Sequence, residues 1–84
     1  MDRKARITTK PLVFNDPEKG QAFTIPPGQP CVEVDSIEEA RARGYLPDEQ
    51  AVWAAKTNLR RGYHLVWLQG KLRGVTESDI KARD

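Results

Sequence analysis

Apolar and polar residues alternate over short runs of this chain, and these runs predict five β-strands. The predicted strands span residues 7–14, 21–25, 31–34, 63–68 and 72–75. Pro11 lies within the first run and cannot donate a ladder hydrogen bond, so it predicts a break or a sheet edge. Turn-forming residues separate the runs closely enough that neighbouring strands are expected to pair antiparallel.

A first helix is predicted to begin after the third strand. Ser36 is a favoured N-cap residue, and Glu39 three positions later is typical of a capping box. Gly44 lies where a helix often ends in a left-handed residue. This helix is therefore expected to span about two turns.

A second helix is predicted from residue 48 to about residue 60. Val52, Ala55 and Leu59 recur at helical spacing, acidic residues lie at its start, and arginines lie at its end. Gly62 is expected to terminate it. The alternative is that residues 51–53 form a strand.

The element order predicts an α+β domain over residues 7–84, preceded by a disordered, charged arm over residues 1–6. Two architectures satisfy the pattern: a small five-stranded antiparallel sheet, or an SH3-like open barrel with one or two short helices inserted before the last hairpin. The layout resembles SH3-like barrels at Pro27-Gly28, a turn before the third strand. It does so again over residues 74–80, where the last hairpin leads into a helical turn. The resemblance covers about half of the chain.

Composition favours a small soluble protein. The chain has 84 residues, of which 38% are hydrophobic and 31% charged, values typical of a globular domain. Cys31 is the only cysteine, so no intramolecular disulfide is possible. The charged N-terminus lacks the apolar run of a signal peptide, and no apolar stretch approaches the roughly 20 residues that span a bilayer. A cytoplasmic protein without membrane partners is predicted.

Charge is distributed unevenly along the chain. The formal net charge is only +2, yet residues 50–76 contain five basic residues and no acidic one. Two tryptophans, a tyrosine and the single histidine lie in the same segment. Clustered cations beside aromatic rings are typical of surfaces that attract acidic partners, with phosphates contacting the cations and bases stacking on the rings.

The residues predicted to bind such a partner are Lys56, Arg60, Arg61, Tyr63, His64, Lys71 and Arg73. The competing interpretation is that Tyr63, Leu65 and Trp67 form the core of the strongest strand, while the cations are solvated. Trp67, in the middle of that strand, is predicted to anchor the core.

Catalytic and cofactor chemistry is not indicated. Cys31 and His64 are a possible nucleophile–base pair, but the spacing of the sequence indicates no third residue that would orient the histidine. Cys31 is expected to be buried and inert. One cysteine and one histidine cannot supply a usual metal-ligand set. Gly70 and Gly74 do not match a phosphate-binding loop; a hairpin turn is predicted at Gly70 and a bulge at Gly74.

The sequence therefore predicts a non-enzymatic binding module, without cofactor or metal, that engages nucleic acid or an acidic protein surface through a basic-aromatic hairpin. The alternative is an accessory or inhibitory protein, of the kind that phages and mobile elements encode, acting by protein–protein contact or homo-oligomerisation. Salt dependence distinguishes the two, because phosphate binding weakens steeply with salt.

Overall fold

A computed structural model of the chain describes residues 4–16 and 19–83. The described strands are β1 Ala5–Thr8, β2 Leu12–Asp16, β3 Gln21–Ile25, β4 Pro30–Val34, β5 His64–Leu68, β6 Lys71–Val75 and β7 Ile80–Ala82. The helices are α1 Ile37–Ala42 and α2 Glu49–Arg60, and a single 3₁₀ turn at Glu77–Asp79 precedes β7.

Five strands form one antiparallel sheet in the order β6-β5-β4-β1-β7, and β2 pairs with β3 in a separate two-stranded sheet. The prediction of an α+β fold with a five-stranded antiparallel sheet and two helices before the last hairpin is confirmed. The membership of the sheet differs from the prediction, because the β2–β3 hairpin stands apart and β7 joins beside β1. The sheet does not close into a barrel.

The first strand begins earlier than the sequence predicts. Ala5 and Arg6 already pair with β4, and Lys4 forms ion pairs with Asp35 and Glu39. These residues therefore belong to the domain, whereas residues 1–3 of the predicted arm lie outside the described residues. So do residues 17 and 18 of the turn between β2 and β3.

The hairpin β2–β3 covers one face of the five-stranded sheet. Its Leu12 and Ile25 pack with side chains from that face of the sheet, and Phe14 and Phe23 lie against the same cluster. The buried members contributed by the sheet are Cys31, Val66, Leu68, Val75 and Ile80. We call this side the hairpin face.

The two helices cover the other face, which we call the helix face. Val34 and Leu65 of the sheet are buried with Ala40 of α1 and Ala55 of α2. The alternation of side chains along β5 explains this division, since Leu65 and Val66 point to opposite faces. The side chain of a sheet residue therefore packs either against the hairpin or against the helices.

Local capping signals determine where both helices begin and end. The Ser36 side chain accepts the N–H of Glu39 at 3.0 Å, and Asp48 accepts the N–H of Ala51 at 2.8 Å. Gly44 follows α1 with a φ of 77°, a value that glycine adopts without strain. Residues 51–53 lie inside α2, so the alternative strand is excluded.

Gly74 lies in an unbroken ladder opposite Leu65, so the predicted bulge is wrong. Its missing side chain serves helix packing instead. A Cβ at position 74 would lie 2.6 Å from Asn58 Cγ, a distance shorter than side chains tolerate. The glycine therefore leaves room above β6 for the amide end of the Asn58 side chain.

No helix in the described part of the chain is long and apolar enough to cross a membrane.

Candidate binding surface

The solvent side of α2 carries an aromatic ring followed by two cations. Trp53, Lys56 and Arg60 lie at positions i, i+3 and i+7, which places them along one side of a helix. Val52 and Ala55 face the sheet and are buried, whereas Trp53 keeps 68% of its surface exposed. We call Trp53, Lys56 and Arg60 the basic ridge.

Within the described residues, neither Lys56 nor Arg60 of the basic ridge forms an ion pair. Part of the local charge has a structural role, because cations at a helix C-terminus interact favourably with the helix dipole. Arg60 occupies the last turn of α2. Lys56 and Trp53 lie further from that end, so the dipole does not account for them.

The turn from α2 into β5 adds two of the predicted residues to this end of the helix. Arg61 is the C-cap of α2 and is exposed. Tyr63 keeps 40% of its surface exposed, so it is not part of the core, contrary to the competing interpretation of that strand. Lys56, Arg60 and Arg61 therefore lie in the last two turns of α2 and its C-cap, and Tyr63 follows two residues later.

His64 points away from this surface. Its Nδ1 lies 2.9 Å from Oε2 of Glu33, and Arg6 Nε donates to Oε1 of the same carboxylate at 3.0 Å. Glu33 is 9% exposed, so these two partners satisfy a carboxylate with little contact to water. His64 is thus held by the sheet on its hairpin face.

Lys71 lies at the opposite end of the helix from Arg60. It follows the tight turn at Gln69 and Gly70, whose φ angles of 51° and 74° are those of a two-residue hairpin turn. This turn lies beside Asp48, at the start of α2. A helix of 12 residues is about 18 Å long, so Lys71 does not join the basic ridge.

Arg73 is a packing residue on the hairpin face. Its guanidinium lies 4.8 Å from the ring centre of Phe14 and 5.0 Å from that of Phe23, and its Nε donates to the carbonyl of Leu68 at 3.0 Å. Burial lowers the pKa of Arg73, while Asp16 opposes that shift. The predicted cluster of seven residues is therefore divided among three places.

We expect Arg73→Ala to lower the free energy of unfolding by about 1–2 kcal/mol, because it removes a two-ring cation–π contact and the packing of the alkyl stem. Urea denaturation followed by circular dichroism measures this. Arg73→Lys keeps the charge and is the matched control, with a smaller loss expected. An unchanged free energy of unfolding in Arg73→Ala would show that the guanidinium does not hold the hairpin against the sheet.

Tyr45 and Trp67 form a second feature on the helix face. Their rings stack with centres 4.3 Å apart and planes 8° from parallel. Trp67 is only partly buried, so its prediction as the core anchor is wrong; Leu65, two positions earlier, is fully buried instead. The stacked pair borders an open pocket of about 190 Å³ between α2 and the β5–β6 turn. We call it the Tyr45–Trp67 pocket.

Cys31 and His64 do not form a catalytic pair. The register of β4 and β5 pairs Val32 with Trp67 and Val34 with Leu65, which places Cys31 and His64 four positions apart along the strands. This separation is about 13 Å at the usual strand rise. His64 is also engaged by Glu33.

We expect the thiol of Cys31 to react slowly with Ellman's reagent in the native state. The side chain is 3% exposed, and burial raises the pKa of the thiol, which reduces the reactive thiolate. The same measurement in urea is the control and should show rapid reaction. A native rate close to the denatured rate would contradict the buried position.

Residues 4–16 and 19–83 contain no group of three or more histidine, cysteine, aspartate or glutamate side chains arranged to hold a metal ion. Comparisons with models of known protein families, with curated proteins and with solved structures found no match.

Proposed function

We propose that this protein is a non-enzymatic binding module that docks an acidic protein surface on the basic ridge of α2. The observation that carries the proposal is the exposure of Trp53 on the same side of α2 as Lys56 and Arg60, neither of which forms an ion pair with another described residue. Tryptophan and arginine are the residue types most enriched among those that dominate binding energy at protein interfaces. The arrangement combines an apolar anchor with charges that select an acidic partner.

A protein partner is favoured over nucleic acid by the division of the cations. Tight binding to a nucleic acid commonly uses about 6–10 phosphate contacts. Of the five cations in the predicted set, Lys56, Arg60 and Arg61 lie on α2 or at its C-cap, as Trp53 does, whereas Lys71 lies at the far end of α2 and Arg73 packs on the hairpin face. Nucleic-acid binding is the second candidate and is an outcome of the test below.

The scaffold we propose for this module is SH3-like. The chain order of a strand, a separate hairpin, a strand, a helical insertion, a hairpin, a 3₁₀ turn and a last strand supports this. Residues 35–63 connect β4 to β5 and contain both helices. In this proposal they form an insertion that replaces a short connection between these two strands. In this proposal the binding residues lie on the insertion.

Retention on the immobilised protein tests the function. The chain is coupled to a resin and exposed to lysate of its native host, with and without nuclease. Wild type is expected to retain protein whether or not nuclease is present, and Lys56→Glu/Arg60→Glu is expected to lose it. Lys81→Glu is the matched control, because it reverses an exposed charge on β7, outside α2.

Three results would contradict the proposal. If nuclease treatment abolishes retention, nucleic acid mediates the binding. The slope of log affinity against log salt concentration would then give the number of phosphate contacts. Retention that survives the double reversal would place the binding surface elsewhere. The absence of any retained protein would remove the proposed function.

A further inference from the structure

Four exposed residues of α2 form a single stripe along the helix. Glu49, Trp53, Lys56 and Arg60 are separated by four, three and four positions, which is the spacing of the seam residues of a coiled coil. At 3.6 residues per turn, these positions lie within about 60° of one another around the helix axis. The stripe is the basic ridge extended by Glu49 at the start of the helix, and we call it the α2 seam.

The order of residue types along the α2 seam is complementary to itself. Its inner and outer pairs of positions have the same midpoint, so an antiparallel second copy of α2 places Glu49 opposite Arg60 and Trp53 opposite Lys56. A two-fold axis between the copies repeats both contacts. The outer contact joins opposite charges, and the inner one brings an ammonium group to an indole ring, the ring that binds cations best.

The charges of α2 specify the antiparallel orientation. A parallel copy would place each charged residue of the seam opposite the same residue, so every charge would meet a like charge. The charges of the helix and its caps are acidic at the start, with Asp48 and Glu49, and basic towards the end, with Lys56, Arg60 and Arg61. Antiparallel alignment brings ends of opposite sign together and also pairs the helix dipoles favourably.

The stability of the helix itself does not account for the whole seam. Glu49 and Arg60 each lie at the end of α2 where the helix dipole favours their charge. Lys56 lies nearer the middle and forms no ion pair within the described part of the chain, and Trp53 forms no aromatic or cation–π contact there. Tryptophan is enriched at protein interfaces, and this one keeps 68% of its surface exposed.

We propose that two copies of this protein associate through the α2 seam as an antiparallel, two-fold symmetric dimer. The helix of 12 residues is about 18 Å long, so the contact is smaller than the roughly 1,200 Å² of stable interfaces. The dimer is therefore weak, with a dissociation constant on the order of 0.1–1 mM. This inference goes beyond the proposed function, because it needs no other protein. A second copy and an acidic partner would compete for the basic ridge.

Sedimentation equilibrium of the purified full chain tests the association. At low salt the average mass is expected to rise from that of a monomer towards that of a dimer between about 0.05 and 2 mM protein, a range that spans the expected dissociation constant. About 1 M salt, which shortens the Debye length to about 3 Å, should weaken the dimer.

Single charge reversals locate the contact. Glu49→Arg and Arg60→Glu each place like charges at both ends of the two-fold contact, and each should weaken the dimer roughly 10-fold or more. Lys81→Glu is the matched control, because it makes the same charge change as Arg60→Glu on β7, outside the seam. It should dimerise as wild type does.

An equimolar mixture of Glu49→Arg and Arg60→Glu separates association from effects on the fold. Between these two variants both outer contacts again join opposite charges, so the mixture should associate about as strongly as wild type. The indole N–H signal of Trp53 in ¹⁵N-labelled Arg60→Glu is expected to shift when unlabelled Glu49→Arg is added. A charge that only stabilises its own helix cannot produce this recovery, because mixing leaves each chain unchanged.

The outcomes for the dimer and for the proposed function are distinguishable. A wild-type chain that stays monomeric up to about 2 mM, above the expected dissociation constant, would overturn the inference and leave the proposed function to the retention experiment. A dimer that persists in both single variants, or a mixture no more associated than its components, would also overturn it. If the mixture associates and wild type retains no protein from lysate, the dimer stands and the proposed function fails.

Discussion

Leu65→Ala is expected to lower the free energy of unfolding by about 3 kcal/mol, the middle of the usual range for a buried leucine. Leu65 has no exposed surface and lies under both helices, among Val34, Ala40 and Ala55. For a chain of this size the loss corresponds to a fall in Tm of roughly 12–24 °C. Urea and thermal denaturation followed by circular dichroism measure both quantities.

Val13→Ala is the control for that experiment. Val13 keeps 67% of its surface exposed, so its truncation should change the free energy of unfolding by about 0.5 kcal/mol or less. A loss below about 1 kcal/mol in Leu65→Ala would fall outside the range for a close-packed leucine. It would mean that the helices do not pack on this face of the sheet.

Trp53→Ala is expected to weaken binding of the acidic partner at least about 30-fold, since central tryptophans at interfaces contribute about 2 kcal/mol or more. The same variant should change the free energy of unfolding by no more than about 0.5 kcal/mol, because 68% of the side chain is already in water. Titration calorimetry with the retained partner measures the first effect, and urea denaturation measures the second.

The control for Trp53 is again Val13→Ala, which removes an equally exposed apolar side chain from the opposite side of the molecule. Its affinity for the partner should equal that of wild type. An affinity unchanged in Trp53→Ala would remove the anchor on which the proposed function depends. Loss of both affinity and stability would instead indicate that Trp53 supports the fold of α2.

Much of the fold could be predicted because local signals determine it. The caps at Ser36 and Asp48 depend on side chains reaching backbone N–H groups three residues away, so they can be read without tertiary information. Alternation along β5 likewise indicated which of its side chains share a face. The pairing of β7 with β1 depends on contacts between the two ends of the chain, and no local pattern indicates it.

The binding surface was predictable only in part, since proximity in sequence is not proximity in space. Lys71 and Arg73 share one side of β6, yet Lys71 is exposed beside the turn, whereas Arg73 is covered by the hairpin. That Phe14 and Phe23 cover Arg73 is a long-range packing result. Trp53 had an available signal, because it lies outside the buried stripe formed by Val52, Ala55 and Leu59.

The glycine at position 74 bears on how α2 is held above β6. A Cβ at that position would meet the amide end of Asn58, which is the end of a flexible side chain and turns aside without moving the helix backbone. Ala51 and Ala54, nearer the start of the helix, border the open pocket above Leu72. A substitution at position 74 is therefore absorbed by the Asn58 side chain, and the width of the pocket at the other end of α2 is unchanged.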